Sequence, residues 1–237
     1  MTTTPASPVN LITLADPGSP ASEAYRTLRT NIHFSSLDTP LKALLITSTD
    51  PGEGKSTTLA NLAVTMAQAG NRVLVVDCDL RRPSQHRIFG VSNAAGLTTM
   101  MLESQAMERP PVQNTSVPNL GLLTSGPLPP NPSELLGSRR MGEILAQLRN
   151  EADILLLDAP PVVAVADAAI LASKVDGVLL VVQANKTKRD LARRAKAILE
   201  KANANLLGVV LNNVKMDTTI YRYYAESEPA ERAERKG

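Results

Sequence analysis

The sequence predicts an α/β fold: a mainly parallel central sheet with helices on both faces. Three observations carry this. Continuous apolar runs recur along the chain and alternate with stretches of helical periodicity. The runs lack the polar alternation of a half-exposed strand, so they suit strands buried on both faces. The residues with chemistry (48–57, 77–82, 158 and 212) all follow such runs. Ligands in open parallel sheets bind there, outside the carboxyl ends of the strands.

Length and composition set the bounds. The 237 residues suit one large α/β domain or at most two small ones, and a hydrophobic fraction of 43% supplies a core. A net charge of +2 does not argue for nucleic acid as a partner. The single cysteine, Cys78, rules out an internal disulfide and suits a reducing compartment. The N-terminus has no basic stretch followed by an apolar one, so no signal peptide is expected. No apolar run approaches the ~20 residues that span a bilayer, so membrane association is expected through a partner. Three segments are expected: a flexible lead-in over 1–18 rich in Thr, Pro, Ser and Gly, a folded domain over 19–216, and a flexible tail over 217–237.

Ser19-Pro20 reads as an N-cap followed by Pro at the first helical position. In the helix that follows, Ala24, Leu28 and Ile32 can pack on the body. Glu23, Arg26 and Arg29 share another face. That face is either a solvated surface with a local ion pair or half of a charge-complementary subunit contact.

The run Leu41–Ile46 reads as a buried strand. It leads into Ser48-Thr49-Asp50-Pro51-Gly52-Glu53-Gly54-Lys55-Ser56-Thr57, and Leu59, Leu62, Ala63, Met66 and Ala67 then mark one helix face. Strand, glycine-containing loop, Lys-Ser and helix form the layout of a P-loop. Backbone N–H groups at the helix start bind phosphate, Lys55 reaches the β- and γ-phosphates of a nucleotide, and the Ser56 hydroxyl ligates Mg2+. Residues 51–57 are therefore the candidate nucleotide cradle. Thr49 stands where the usual pattern opens with glycine.

A second strand, Arg72–Asp77, ends in Asp77-Cys78-Asp79-Leu80-Arg81-Arg82-Pro83. Beside a Mg2+-nucleotide, one acid could hold the metal's water shell and the other accept a proton from an attacking hydroxyl. The plainer alternative is an acidic cap paired with Arg81 and Arg82. Residues 84–118 carry little signal beyond a short helix over 96–102. After a strand at Leu120–Leu123, a proline-rich loop leads into one helix over Ser133–Arg149, with Ser125 and Gly126 as residues that could face the nucleotide. The third strand, Asp153–Asp158, ends in an acid suited to orient Mg2+ through water. A helix over 165–174, a strand over 176–182, a basic helix over 187–203 and a last strand, Leu206–Asn212, complete the domain. Asn212 at that strand's tip is a candidate reader of an adenine edge. Three of the four tyrosines, Tyr221, Tyr223 and Tyr224, cluster in the polar tail, where burial cannot easily explain them.

Taken together, these motifs resemble the bacterial tyrosine kinases of polysaccharide biosynthesis. The resemblance spans 20–224 and rests on Glu-Ala-Tyr-Arg-Thr-Leu-Arg-Thr-Asn at 23–31, Pro-Gly-Glu-Gly-Lys-Ser at 51–56, and Asp-Cys-Asp-Leu-Arg-Arg-Pro at 77–83. It also rests on Ser-Gly-Pro-Leu-Pro-Pro-Asn-Pro-Ser-Glu-Leu-Leu at 125–136, Leu-Leu-Leu-Asp-Ala-Pro-Pro at 155–161 and the terminal tyrosines. It implies a P-loop fold of the deviant Walker A type and an ATP- and Mg2+-dependent protein-tyrosine kinase acting on its own tail in trans. Lys55, Asp77, Asp79 and Asp158 would be catalytic, with Asp77 activating the tyrosine. Ser56, Asp79 and Asp158 would hold the metal. Glu23, Arg26 and Arg29 would join copies into a ring, an octamer being one size. The implied partners are a separate transmembrane activator of the polysaccharide co-polymerase type and a cognate tyrosine phosphatase. The implied place is the cytoplasmic face of the cell membrane, reached through that activator. Two other readings suit the same fold. One is a switch ATPase of the partition or division-site kind, which usually carries an extra lysine near Thr49. The other is a nucleotide-gated scaffold without catalysis.

Overall fold

A computed structural model describes residues 10–35 and 40–215. The N-terminal part is helical: α1 (Ile12–Ala15) and α2 (Pro20–Phe34). Ser19 caps α2 by accepting the Ser22 N–H, with Pro20 at the first helical position. Then follow β1 (Ala43–Ser48), α3 (Lys55–Gln68), β2 (Val73–Asp77), α4 (Gln85–Phe89), α5 (Leu97–Leu102), α6 (Gln105–Glu108), β3 (Gln113–Asn114) and β4 (Leu120–Leu123). The chain continues through α7 (Pro132–Gly137), α8 (Arg139–Glu151), β5 (Ile154–Asp158), α9 (Asp167–Ala172), β6 (Gly177–Gln183), α10 (Arg189–Lys201) and β7 (Leu206–Asn212).

The strands form one seven-stranded sheet in the order β3-β4-β2-β5-β1-β6-β7. All neighbours are parallel except β3 against β4. Successive side chains of a strand point to opposite faces, and this divides the core in two. Leu44, Ile46, Val75 and Leu156 pack on one face with Leu59 and Leu62 of α3 and Ile32 of α2. Leu45, Leu74, Val76, Leu155 and Leu157 pack on the other with Met141, Ile144 and Leu148 of α8, Leu171 of α9 and Leu199 of α10. Central strands β1, β2 and β5 are buried along their whole length, as their unbroken apolar runs predict.

Two expectations change. Part of the expected lead-in is folded: α1 tucks against α3, with Leu11 and Thr13 buried. The Thr13 N–H and hydroxyl both donate to Asn61 Oδ1, at 3.1 and 2.9 Å. Asn61 Nδ2 in turn donates to the Thr57 carbonyl at 2.9 Å. These bonds cross the sequence, so local composition could not reveal them. The helix expected over 133–149 is two helices. Ser138 is extended and caps α8 by accepting the Met141 N–H. Residues 1–9 and the whole of the expected tail over 217–237, with Tyr221, Tyr223 and Tyr224, lie outside the described residues.

The Asn61 bonds tie the N-terminal segment to the helix that starts at the P-loop. Asn61→Ala leaves buried donors of Thr13 without an acceptor. It should cost about 1–3 kcal/mol of unfolding free energy, read from urea denaturation with unchanged slope.

Candidate active site

The P-loop sits between β1 and α3. Two of its turns need left-handed backbone: Gly52 at φ 80° and Gly54 at φ 88°. At Gly54 a side chain has no room either, because a Cβ would lie 2.2 Å from Asn212 Nδ2. The first intrahelical bond of α3 runs from the Thr58 N–H to the Gly54 carbonyl, 2.8 Å. The N–H groups of Lys55, Ser56 and Thr57 therefore have no acceptor within the helix, which is the geometry that receives an anion.

The missing opening glycine is explained inside the loop. Glu53 folds inward, almost fully buried. Its carboxylate accepts the Thr49 N–H at 2.8 Å, the Asp50 N–H at 3.0 Å and the Thr49 hydroxyl at 2.7 Å. The Thr187 hydroxyl closes on the same carboxylate. Thr49 is thus a bonded strut, and Glu53 braces the loop from behind. Asn212 does the same from β7, donating from Nδ2 to the Glu53 carbonyl at 2.9 Å. The expected contact of Asn212 with an adenine edge competes with this bond.

Three strand ends converge in front of the loop. In the sheet register Asp77 of β2 faces Asp158 of β5, which faces Ile46 of β1. Lys55 Nζ lies 2.9 Å from Asp79 Oδ2 and 3.0 Å from Asp158 Oδ1, and donates to Ser56 Oγ at 3.1 Å. Burial works to lower the pKa of this ammonium, but the Asp158 and Asp79 carboxylates outweigh it and hold the pKa above the ordinary lysine value.

Asp77 and Asp79 separate in space. Asp79 lines a cleft of about 490 Å³ together with Pro51, Gly52, Gly54, Lys55, Ser56 and Thr57. Asp77 lies behind it with no exposed surface. Its Oδ2 accepts the N–H groups of Ser84 and Gln85 at 3.0 and 2.9 Å. Burial, reinforced by the Asp158 carboxylate, pushes Asp77 up to about 7 despite the N–H donors of Gln85 and Ser84 and the charge of Lys55. Asp79 is thus the acid that borders the cleft, whereas Asp77 reaches it only if the segment after β2 opens. Cys78 between them is buried, and burial beside three carboxylates raises its thiol pKa well above the usual value.

Several contributors escape sequence reasoning. Gln85, fully buried on the short α4, donates from Nε2 to Asp158 Oδ2 at 2.8 Å and to the Ser56 carbonyl at 3.2 Å. It thereby joins the P-loop, β2 and β5 motifs. Arg81 pairs with Asp167 rather than with the acids at 77 and 79, through Nε at 2.8 Å and Nη2 at 3.1 Å, and Nη2 also donates to Ser133. Ser125 and Gly126 are locked to Asn93, away from the cleft lining. Glu23, Arg26 and Arg29 lie on α2, remote from the cleft. Arg26 pairs with Glu23 at 2.7 Å, while Arg29 donates to the Thr65 carbonyl of α3 at 2.8 Å.

The residues present fit a Mg2+-nucleotide. Free backbone donors and Lys55 suit phosphates, and Ser56, Asp79 and Asp158 are oxygen donors grouped around one ammonium. Among the described residues no dense His, Cys, Asp or Glu cluster could hold a metal alone. Mg2+ keeps most of its waters and takes few protein ligands, so Ser56 and the two carboxylates would suffice to hold it.

Fold and site define a P-loop NTPase. A family model described as ParA, the NUBPL iron-transfer P-loop NTPase, matches residues 41–223. The chain is also 45% identical over 220 residues to the tyrosine-protein kinase YwqD of Bacillus subtilis, covering 92% of each chain. With the tyrosine-protein kinase CpsD of Streptococcus agalactiae it shares 37% identity, over 85% of this chain and 87% of that one. The kinase domain of the Escherichia coli tyrosine kinase ETK superposes with a TM-score of 0.84 at 33% identity, covering 90% of this chain and 84% of that one. The chimerical protein CapA2B2 gives 0.83 at 38% identity, over 91% and 96%. The chain belongs to the bacterial tyrosine-kinase (BY-kinase) family, related to the kinases of capsular and extracellular polysaccharide. The septum site-determining protein MinD of Pyrococcus horikoshii shares the fold at 23% identity and a TM-score of 0.61, over 72% of this chain and 69% of that one.

The raised pKa of Asp77 has a consequence for stability. A carboxyl whose folded pKa exceeds its unfolded value near 4 is neutral and tolerated at low pH. It then costs stability as pH rises toward its folded pKa, because the unfolded chain releases the proton first. Asp77→Asn removes that cost. The Tm difference between Asp77→Asn and the wild type should shift in the variant's favour from about pH 4 and level off above about pH 7. A difference that is flat in pH would show that Asp77 is ionised throughout.

Proposed function

We propose that this chain is an ATP- and Mg2+-dependent protein-tyrosine kinase. It phosphorylates Tyr221, Tyr223 and Tyr224 of another copy within a ring, and serves the synthesis and export of a capsular or extracellular polysaccharide. The observation that carries the reading is the Lys55 ammonium held between Asp79 and Asp158 at the edge of an open cleft. A bound Mg2+-nucleotide supplies a transferable phosphoryl group and a divalent charge that stabilises its transfer.

The chain's own residues do the rest. The N–H groups of the first turn of α3 bind and orient phosphate oxygens. Lys55 neutralises their charge, and Ser56, Asp79 and Asp158 provide oxygens for the metal's inner or water shell. Gln85 holds Asp158 by its second oxygen while Lys55 engages phosphate. The tyrosine hydroxyl gives its proton to Asp79, the acid at the β2 tip that borders the cleft; Asp77 can take that part only once the segment after β2 opens. The named relatives, tyrosine-protein kinases at 37% and 45% identity, support the same assignment.

Incubation of the full chain with Mg2+ and ATP, with and without a candidate activator, should place phosphate at 221–224 by mass spectrometry. Lys55→Met should remove at least about 99% of the label, since it deletes the main charge stabilising the transferring group. ATP hydrolysis with nucleotide-dependent dimerisation and no phosphotyrosine would instead support a switch ATPase.

Self-association through α2 is part of the proposal. Glu23 is exposed on that helix, and Arg26, half-buried, pairs with it. Arg29 has a second duty, because its guanidinium caps a carbonyl near the end of α3. Arg26 also holds a carbonyl, that of Pro17 at 2.6 Å, but this bond lies at the exposed surface before α2, so the informative variant is Arg26→Ala alone, read beside its Tm. Light scattering should show an oligomer for the wild type and a monomer for Arg26→Ala, and a monomeric wild type would remove the ring. The proposed site of action is the cytoplasmic face of the membrane, docked on a transmembrane activator and reset by a tyrosine phosphatase. Among the described residues no helix is long and apolar enough to cross a membrane, so on this reading the activator supplies the anchorage.

A further inference from the structure

The two edges of the sheet are built differently. At one end β3 has only two residues, Gln113 and Asn114, both polar. A short polar edge gives a further strand little to pair with. At the other end β7 runs for seven residues, Leu206-Leu207-Gly208-Val209-Val210-Leu211-Asn212, with no charge and no proline. A register irregularity at Val178/Leu179 disturbs only its start. Among the described residues no strand pairs with its outer side. Its side chains are also partly uncovered. Val209 and Leu211 stand beside Leu180 and Val182 of β6, and residues paired in this way share a face of the sheet. Leu180 and Val182 are buried in the core on the α10 side, whereas Val209 is 58% and Leu211 56% exposed. A long, uncharged, apolar edge with open backbone donors and acceptors is a template for one more strand.

We infer that the chain's own segment 218–224 docks there, returning along β7 as an antiparallel eighth strand. Thr218-Thr219-Ile220-Tyr221-Arg222-Tyr223-Tyr224 is as long as β7 and, Arg222 apart, is β-branched or aromatic throughout, the residue types that strands favour. The chain already bends where β7 ends: Asn213 sits at φ 56°, in the left-handed region. Five residues, 213–217, connect Asn212 to Thr218, and hairpin loops of that length are common. This connection would set Leu211 opposite Thr219 and Val209 opposite Tyr221. The Tyr221 ring would then cover the exposed face of Val209 and Leu211, a cross-strand contact of an aromatic with aliphatic side chains. A second copy could pair with the same edge, but the short tether holds the segment at an effective concentration on the order of 1 mM, which favours the chain's own tail. The pairing does not depend on the kinase reading. Joined to that reading, it withholds Tyr221 from a neighbour until the hairpin opens.

Hydrogen exchange of the full chain, without nucleotide and followed by mass spectrometry, reads the pairing directly. Amides of 218–224 should exchange about tenfold more slowly than in a free peptide of the same sequence, and equally slowly after dilution of the protein. Val209→Lys with Leu211→Lys should return the segment to the free-peptide rate. Ile220→Pro, which leaves β7 itself unchanged, should do the same and should also speed exchange within 206–212. Val209→Cys with Tyr221→Cys should close a disulfide within one chain, whereas Val209→Cys with Ala225→Cys should not. Arg26→Ala should leave the protection as it is, because the contact lies within one chain. The inference is overturned if 218–224 exchange at the free-peptide rate in the wild type. Protection that falls on dilution overturns it too, and gives the edge to a second copy; protection lost in Arg26→Ala gives the segment to a neighbour in the ring. A tail that is protected but never phosphorylated removes the kinase reading and keeps the pairing. A tail that is phosphorylated yet unprotected before ATP is added does the reverse.

Discussion

The site depends on one buried ammonium. Lys55 starts α3, and its Nζ meets carboxylates from the ends of two strands, Asp79 beyond β2 and Asp158 on β5. A buried cation without partners would lose its proton or force the loop open. Here the pairing holds the charge and draws three separate segments to one point. It also leaves the site short of positive charge, since two carboxylates, Asp79 and Asp158, share a single lysine. When Lys55 turns to a phosphate, two carboxylates lose their counter-ion together. A divalent cation arriving with a nucleotide would restore that balance, so phosphate and metal would be linked requirements of one electrostatic arrangement.

The supports around this point act in layers. Glu53 and Thr49 stiffen the loop from within, and Asn212 and Thr187 hold it from the β6–β7 side. Gln85 spans the opposite side, bonding Asp158 and the Ser56 carbonyl while its own N–H holds Asp77. A Gly52-Gly54 loop left to itself would be conformationally free. The bonds that converge on it remove that freedom in advance, so binding a nucleotide does not have to order it.

How much of this was legible in the sequence follows the range of each interaction. The strands and the P-loop were readable because burial and phosphate binding leave contiguous marks: unbroken apolar runs and the Gly-Lys-Ser series. The acids at 77, 79 and 158 were readable as a group from their places at strand ends. Their division of labour was not, because whether an acid faces the cleft or the interior depends on how the following segment folds back. Gln85 carried no signal; a lone glutamine on a five-residue helix gains meaning only from the strand beside it. Glu53 in the loop and Asn212 at the tip of β7 read as nucleotide contacts from their positions; position alone does not show that both also brace the loop, the Glu53 carboxylate folded inward and Asn212 Nδ2 bonded to the Glu53 carbonyl. Helix α1 was hidden because its partner, Asn61, lies 48 residues away. The break at Ser138 was masked by apolar periodicity that runs on across it.

The connection between α2 and α3 would let the domain sense its neighbours in the proposed assembly. Arg29 of α2 holds the Thr65 carbonyl of α3, and Asn61 of α3 links α1 to Thr57 in the phosphate cradle. A displacement of α2 therefore cannot leave α3 untouched, and α3 begins at Lys55. Glu23 and Arg26 face outward on the same helix that Arg29 fastens inward. If the outer face of α2 meets a neighbour, as proposed, the helix bolted by its other face to α3 would be a physical link between assembly and phosphate binding, of the kind that coupling between sites requires. By reciprocity, whatever nucleotide state favours one position of α3 also favours one disposition of α2. Assembly and nucleotide state would then bias each other through two hydrogen-bonded contacts, without a mobile domain or a second ligand site.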